Sequence, residues 1–400
     1  MLARRLAPPA TVTTEILLAV RSVLGETQAQ IPLHEPEFAG NEWAFVKDCL
    51  DTGWVSSVGA YVDRLERDLA AYTGISHAVV TANGTAALHI CLLVAGVEPG
   101  DEVLVPALTF VATANAVSYA GAIPHFVDSE SRTLGVDADR LEDHLASTAR
   151  VEGERCVNRS TGATIRALVV MHAFGHPCDL DALSALAERW KLVLIEDAAE
   201  SLGSLHRGVH TGNVGAVSAL SFNGNKVLTT GGGGAVLTND AGLARRAKHL
   251  STTARVHDRW NFVHDEVGYN YRMPNLNAAL GCAQLEQLPD MLVRKRALAA
   301  RYAEAFRPIV SADFLAEPEG STSNYWLNTI VLAPGEAAAQ EHVLEGLNAA
   351  GYMSRPVWTL MHRLPMYAAC PRADLTVAED MATRVINVPS SPRLVNRAGS

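Results

Sequence analysis

Between His77 and Asp197 the chain alternates short apolar runs with stretches of helical spacing, and this alternation restricts it to one kind of architecture. The runs HAVVT from His77, EVLVP from Glu102, IPHFVD from Ile123, ALVVM from Ala167 and KLVLIED from Lys191 read as strands. They are too continuously apolar for a sheet wetted on one face. The stretches between them, such as NGTAALHICLLVAG from Asn83 and DLDALSALAERW from Asp179, carry leucines at helical spacing. Strand and helix in alternation mean a mainly parallel sheet covered on both faces, so the expected class is α/β.

A chain of 400 residues with 48% hydrophobic content has room for a large domain and a smaller one. The expected division is an N-terminal arm over 1–30, a large domain over 31–290 and a small α+β domain over 291–400. The small domain draws on the helix-like RKRALAARYAEAFRPI, the strand-like YWLNTIVL and the helix-like EHVLEGLNAAG. In the arm, Glu15 and Arg21 interrupt the apolar run, which predicts a short helix from near Thr13 and neither a signal segment nor a membrane span. A helix is expected over Gly40–Leu50 and another ending before Gly74, with a glycine-bounded loop between them that carries Trp54, Ser56 and Ser57. Leu134–Leu145 reads as a polar turn and helix, Ala149–Thr164 as a polar surface excursion, and Asn396–Ser400 as a loose end.

A net charge of −10 without a long basic run argues against non-specific nucleic-acid binding and leaves small molecules as the expected partners. The six cysteines are scattered, with no C-x-x-C pair, so neither a disulfide framework nor a zinc ribbon is indicated, and a reducing cytoplasm is expected. His172, His176, Cys178 and Asp179 fall across a Gly/Pro loop, which predicts a tight turn and no metal site.

Only five of the 33 basic Lys and Arg residues are lysines. Lys47, Lys191, Lys248 and Lys295 lie in polar or helical surroundings that read as solvated surface, whereas Lys226 follows the apolar VSALSF and precedes Gly231–Gly234. Loss of hydration favours the neutral amine that Schiff-base chemistry requires. A surface hairpin also carries such a lysine, so other residues decide. Asn225 and Val227 exclude a P-loop, and no G-x-G-x-x-G opens a helix for a nicotinamide cofactor.

Three further positions fall at predicted strand ends, where open α/β sheets gather ligands. Gly84 and Thr85 begin a helix whose unpaired N–H groups suit a phosphate, although Asn-Gly-Thr is also an ordinary cap. Asp197 closes a strand, either as a helix cap or as the acid partner of a heterocyclic nitrogen. Phe110 is placed to stack on a flat ring or to pack in the core. Phosphate cradle, carboxylate and lysine together meet the needs of pyridoxal 5′-phosphate (PLP). The four glycines read as a tight turn that lets backbone pass close to the cofactor or to a partner subunit.

The segments NGTAALH, PALTFVATANAV, GAIPHFVD, IEDAAES, SFNGNK, TTGGGG and GYNYRMPNLNAALGCAQL resemble the DegT-type sugar-nucleotide aminotransferases, over nearly the whole chain from Ile31 to Pro392. The resemblance implies a fold-type-I PLP-dependent transferase in which Lys226 is the Schiff-base lysine, Asp197 pairs with the pyridine nitrogen and Phe110 stacks on the ring. It implies phosphate contacts from Gly84, Thr85, Ala86 and Ser221, and places Glu200 near the ring's 3-hydroxyl, a polar position that His or Gln can fill in relatives. Asn270 matches a position that reaches the other subunit's cofactor, which implies a homodimer with shared sites. GWVSSVG, SFNGNK and RPVWTLMHRLPMY resemble the LegC-like and perosamine-synthase-like members. The implied activity is amino transfer from L-glutamate to a nucleotide-linked keto-sugar of the UDP-4-keto-6-deoxy-N-acetylhexosamine type, for surface polysaccharide, with Trp54, Ser56, Trp326 and His362 as substrate-side candidates. A sugar dehydratase, which replaces the lysine with histidine, and a non-catalytic regulatory protein are the alternatives.

Overall fold

The computed structural model describes residues 9–396, so all but Asn396 of the expected loose end lies outside the described residues. The large sheet is built from β1 (His77–Thr81), β2 (Glu102–Pro106), β3 (Ile123–Val127), β4 (Ala149–Glu152), β5 (Arg155–Asn158), β6 (Thr164–Met171), β7 (Val193–Asp197), β8 (Val217–Ser221) and β9 (Gly234–Thr238). Their order is β1-β9-β8-β7-β6-β2-β3, with the β4–β5 hairpin joined to β6. Along this order every pairing from β8 to β3 is parallel, and β9 runs antiparallel to its neighbours β1 and β8. The continuous apolar runs have a direct cause, because successive residues enter different cores. Val103, Val105 and Val169 join one buried cluster, while Leu104, Leu168 and Val170 join another on the opposite face.

The helices are α1 (Pro9–Leu24), α2 (Glu42–Thr52), α3 (Ala60–Thr73), α4 (Gly84–Val94), α5 (Val111–Tyr119), α6 (Ala138–Thr148), α7 (Leu180–Arg189), α8 (Ala241–Ser251), α9 (Asn275–Phe306), α10 (Gln340–Ala349) and α11 (Thr376–Ala382). Among the described residues, no helix is long and apolar enough to cross a membrane. A second sheet, β10 (Ala312–Phe314), β11 (Asn328–Leu332), β12 (Arg355–Pro356) and β13 (Val385–Val388), is antiparallel in the order β10-β11-β13-β12. Its core takes Val12, Ile16 and Val20 from α1, so the first described helix packs with the C-terminal part of the chain. Helix α9 runs unbroken through residue 290: Cys282 and Leu288 join the large core, Leu298 and Tyr302 the smaller one.

One expectation gains detail and one needs correction. Residues 149–164 lie largely at the surface, as expected, but they form a hairpin whose buried end, Cys156–Asn158, reaches the core. Asn158 Nδ2 and Thr161 Oγ1 donate to Glu102 at 2.9 and 2.7 Å, and His125 Nδ1 lies 2.7 Å from the same carboxylate, so the hairpin's end satisfies a buried acid. Lys295 is not surface. It is 1% exposed, because α9 turns it inward, and its Nζ donates to the carbonyls of Ser390 (2.6 Å) and Trp326 (3.2 Å). Burial holds its amine well below the ordinary lysine pKa.

Candidate active site

The carboxyl ends of β1, β7 and β8 open on a cavity of about 330 Å3. Gly84, Thr85, Phe110, Asp197, Glu200, Ser221, Lys226 and Trp326 all line it, so one space collects residues spread over more than half the chain.

At the head of α4, Asn83 is extended (φ −168°) and its side chain accepts the Ala86 N–H at 2.8 Å. That cap occupies the Ala86 amide, and Ala86 does not line the cavity; Gly84 and Thr85 hold the first-turn amides that no helix acceptor can reach. A Cβ on Gly84 would stand 2.7 Å from the Cβ of Ser221. Glycine is therefore what lets the helix start close against the end of β8, and the amides and two hydroxyls form a cradle of the right chemistry for a phosphate.

Asp197 ends β7, buried. Its Oδ2 accepts from Thr113 Oγ1 at 2.8 Å and its Oδ1 from the Ala199 N–H at 3.2 Å. Burial raises its pKa, and those donors with the charge of Lys226 oppose the rise. A protonated ring nitrogen is the positive partner that such a carboxylate takes. Glu196, beside it, anchors the strand end by accepting from His172 Nε2 (3.0 Å) and the amides of Gly212, Val214 and Gly215 (2.6, 2.8 and 2.6 Å). Burial pushes the Glu196 carboxyl up, but His172 and these amides outweigh it and hold it below the ordinary value. His172 Nδ1 in turn accepts the Cys178 N–H at 3.1 Å, and Asp179 caps α7, so these residues serve the turn.

Lys226 Nζ lies 3.1 Å from Glu200 Oε1 and 3.9 Å from the centre of the Trp326 ring. The Trp326 indole N–H donates to Asn225 O at 2.7 Å, tying the ring to the loop that carries the lysine. Glu200 Oε2 accepts the Phe174 N–H at 2.9 Å; burial pushes this carboxyl up to about 7, against the pull of Lys226 and that amide.

Sequence reasoning missed Trp358 and Phe174. Trp358 lines the cavity, stacks on Phe174 (4.9 Å between centroids) and meets Phe110 edge-on (6.3 Å). It lies in the RPVWTLMHRLPMY run, where His362 stood out instead. His362 lies outside the cavity, 3.1 Å from Glu379. Trp54 and Ser56 also lie outside it within one chain; their carbonyls accept from the side chain and amide of Asn275 at 2.7 and 2.6 Å. Asn270 is exposed, bridged to Thr252, and does not line the cavity of its own chain.

The glycine run resolves into separate demands. Gly231 has φ +77°; a Cβ on Gly233 would meet Thr230 Oγ1 at 2.3 Å, and one on Gly234 would meet the Asn83 carbonyl at 2.7 Å. Gly232 meets nothing within 4 Å. The fourth glycine thus lets β9 pass against the turn that opens the cradle.

A phosphate cradle, a buried carboxylate and a lysine around one cavity, at the strand ends of a mainly parallel sheet, define a fold-type-I PLP enzyme. The model of the DegT/DnrJ/EryC1/StrS aminotransferase family matches residues 36–398, and the chain belongs to that family. It is a PLP-dependent aminotransferase. GDP-perosamine synthase of Escherichia coli O157:H7 is 37% identical over 92% of this chain and 94% of its own, and that of Caulobacter vibrioides 36% over 90% and 93%. Among solved structures, a DegT DnrJ EryC1 StrS aminotransferase from Brucella abortus superposes with a TM-score of 0.80 at 29% identity, covering 88% of this chain and 90% of that one.

Proposed function

We propose that the protein moves an amino group from L-glutamate to a nucleotide-linked keto-sugar, for deoxyamino-sugar and surface polysaccharide synthesis. The observation that carries this reading is the convergence of Lys226, Asp197 and the Gly84–Thr85–Ser221 cradle on one cavity. Bound PLP supplies an electron sink. In this reading the cradle holds its phosphate, Asp197 keeps a proton on its ring nitrogen and Phe110 stacks on its face. Lys226 would hold the cofactor's aldehyde carbon and would serve as the base that carries the proton in amino transfer, a pair of roles that a dehydratase with histidine in its place lacks. One relative, 32% identical, is named a pleiotropic regulatory protein, which keeps the regulatory alternative in view; a sensor, however, has no use for the lysine.

The acceptor follows from likeness. The resemblance to LegC-like members supports a UDP-4-keto-6-deoxy-N-acetylhexosamine, and the relatives named GDP-perosamine synthase support a GDP-linked sugar. A homodimer in cytoplasm completes the reading. Its support is the exposed Asn270 and the neighbouring Trp260 and Phe262, each 77% exposed in the single chain.

Adding L-glutamate to the PLP-loaded protein is expected to abolish the visible band, and a panel of UDP- and GDP-linked keto-sugars to restore it with the true acceptor alone. A band indifferent to glutamate and to every sugar contradicts the reading.

A further inference from the structure

Glu200 lines the cavity at a place that His or Gln can fill in the family the chain resembles, and its surroundings bear on the proton it holds. Its two oxygens are not equivalent. Oε2 is committed to the Phe174 N–H at 2.9 Å, and that amide is fixed by a left-handed residue (φ 56°) followed by Gly175, where a Cβ would meet Asn324 Oδ1 at 1.9 Å. Oε1 lies 3.1 Å from Lys226 Nζ. The side chains are 2% and 12% exposed, so water screens the pair poorly.

We propose that Glu200 is the proton partner of Lys226: its Oε1 takes the proton that Nζ must lose to become a nucleophile, and returns it when the amine is set free. The exchange turns carboxylate and ammonium into acid and amine, moves one proton and leaves the net charge of the buried pair unchanged. The neutral amine then forms its C=N bond to an aldehyde with loss of water, and no proton need cross the protein. Opposing effects act on the two forms. Burial favours the neutral pair, whereas mutual attraction at 3.1 Å and the Trp326 face at 3.9 Å favour the ionic one.

The other charged or titratable groups that bear on the pair do not replace Glu200. Asp197 acts on Glu200 through its charge, and its own oxygens accept from Thr113 and Ala199. His34 is held well below the ordinary histidine pKa by burial, by Lys295 and by Lys226, so it stays neutral. Lys295 faces two carbonyls. The upward shift of Glu200 to about 7 agrees with a carboxyl poised to hold a proton.

The inference rests on Lys226 being the lysine that takes the cofactor. Its test is the rate at which apoprotein takes up PLP, followed by visible absorption across pH, in wild type and Glu200→Gln. Glutamine keeps an oxygen for the Phe174 amide but cannot accept a proton. Wild type is expected to load at a rate that is flat above about pH 7, whereas E200Q gains about tenfold per pH unit until its amine is deprotonated by solvent. Glu200→His, which restores a titratable group, is expected to bring the plateau back. Identical profiles for wild type and E200Q overturn the proton partnership and leave the aminotransferase reading intact. A wild type that never develops the band overturns both.

Discussion

Lys226 stands 12% exposed at the wall of a cavity, with a carboxylate 3.1 Å away, an indole face at 3.9 Å and a phosphate cradle across the space. Lys295 is more deeply buried, at 1%, and touches two backbone carbonyls. Burial alone therefore does not make a lysine chemical. Lys295 is walled in and bonded to the chain, where it fastens Trp326 and Ser390; Lys226 is dehydrated yet reachable, with a partner for its proton. Trp326 links the two, since its carbonyl is held by Lys295 while its ring lies over Lys226.

That contrast breaks most visibly if the lysines are removed one at a time. Lys226→Ala is expected to lose at least about a thousandfold in turnover, measured as amino transfer from glutamate, while its thermal unfolding stays close to wild type. The partner of Lys226 sharpens the contrast through pH. The carboxyl of Glu200 is lifted from 4.5 to about 7 in the folded chain, so below 4.5 it is protonated in folded and unfolded states alike. As pH rises from 4.5 to about 7 the unfolded chain ionises first, and wild type loses about 3 kcal/mol relative to Glu200→Gln, with no further change above that range. Unfolding midpoints in urea across this window check the sign.

Lys295→Met is expected to cost about 1–3 kcal/mol of stability by leaving the Ser390 carbonyl unpaired, and to keep turnover within about tenfold of wild type. Because burial lowers the Lys295 pKa from 10.5, the unfolded chain binds a proton that the folded chain releases. Wild type should therefore gain on Lys295→Met as pH rises toward 10.5, and a gap that narrows instead contradicts a neutral buried amine. The smallest effect belongs to a lysine in water. Lys47, paired with Asp51 one turn along α2 at 59% side-chain exposure, should change stability by no more than about 0.5 kcal/mol on replacement by Ala.

What was legible in the sequence follows the same division. The strands at 77–81 and 102–106 could be read residue for residue because strands buried on both faces leave nearly unbroken apolar runs. Lys226, Asp197 and Thr85 were legible because strand ends in such a sheet converge in space whatever their separation along the chain. The burial of Lys295 was not, since RKR in a helix reads as solvated until residues 326 and 390 are known to lie against it. Trp358 escaped for a similar reason: its place is set by Phe174 and Phe110, far away in sequence. The polar hairpin at 149–158 was hidden by its own satisfied hydrogen bonds with Glu102.

The most direct test of the difference between the two lysines is chemical. Borohydride reduction of the PLP-loaded protein, followed by proteolysis and mass mapping, fixes the cofactor to whichever lysine holds it. The pyridoxyl group is expected on the peptide that contains Lys226 and on no other; a label on Lys295 or any other lysine, or none on a protein that shows the visible band, contradicts the account.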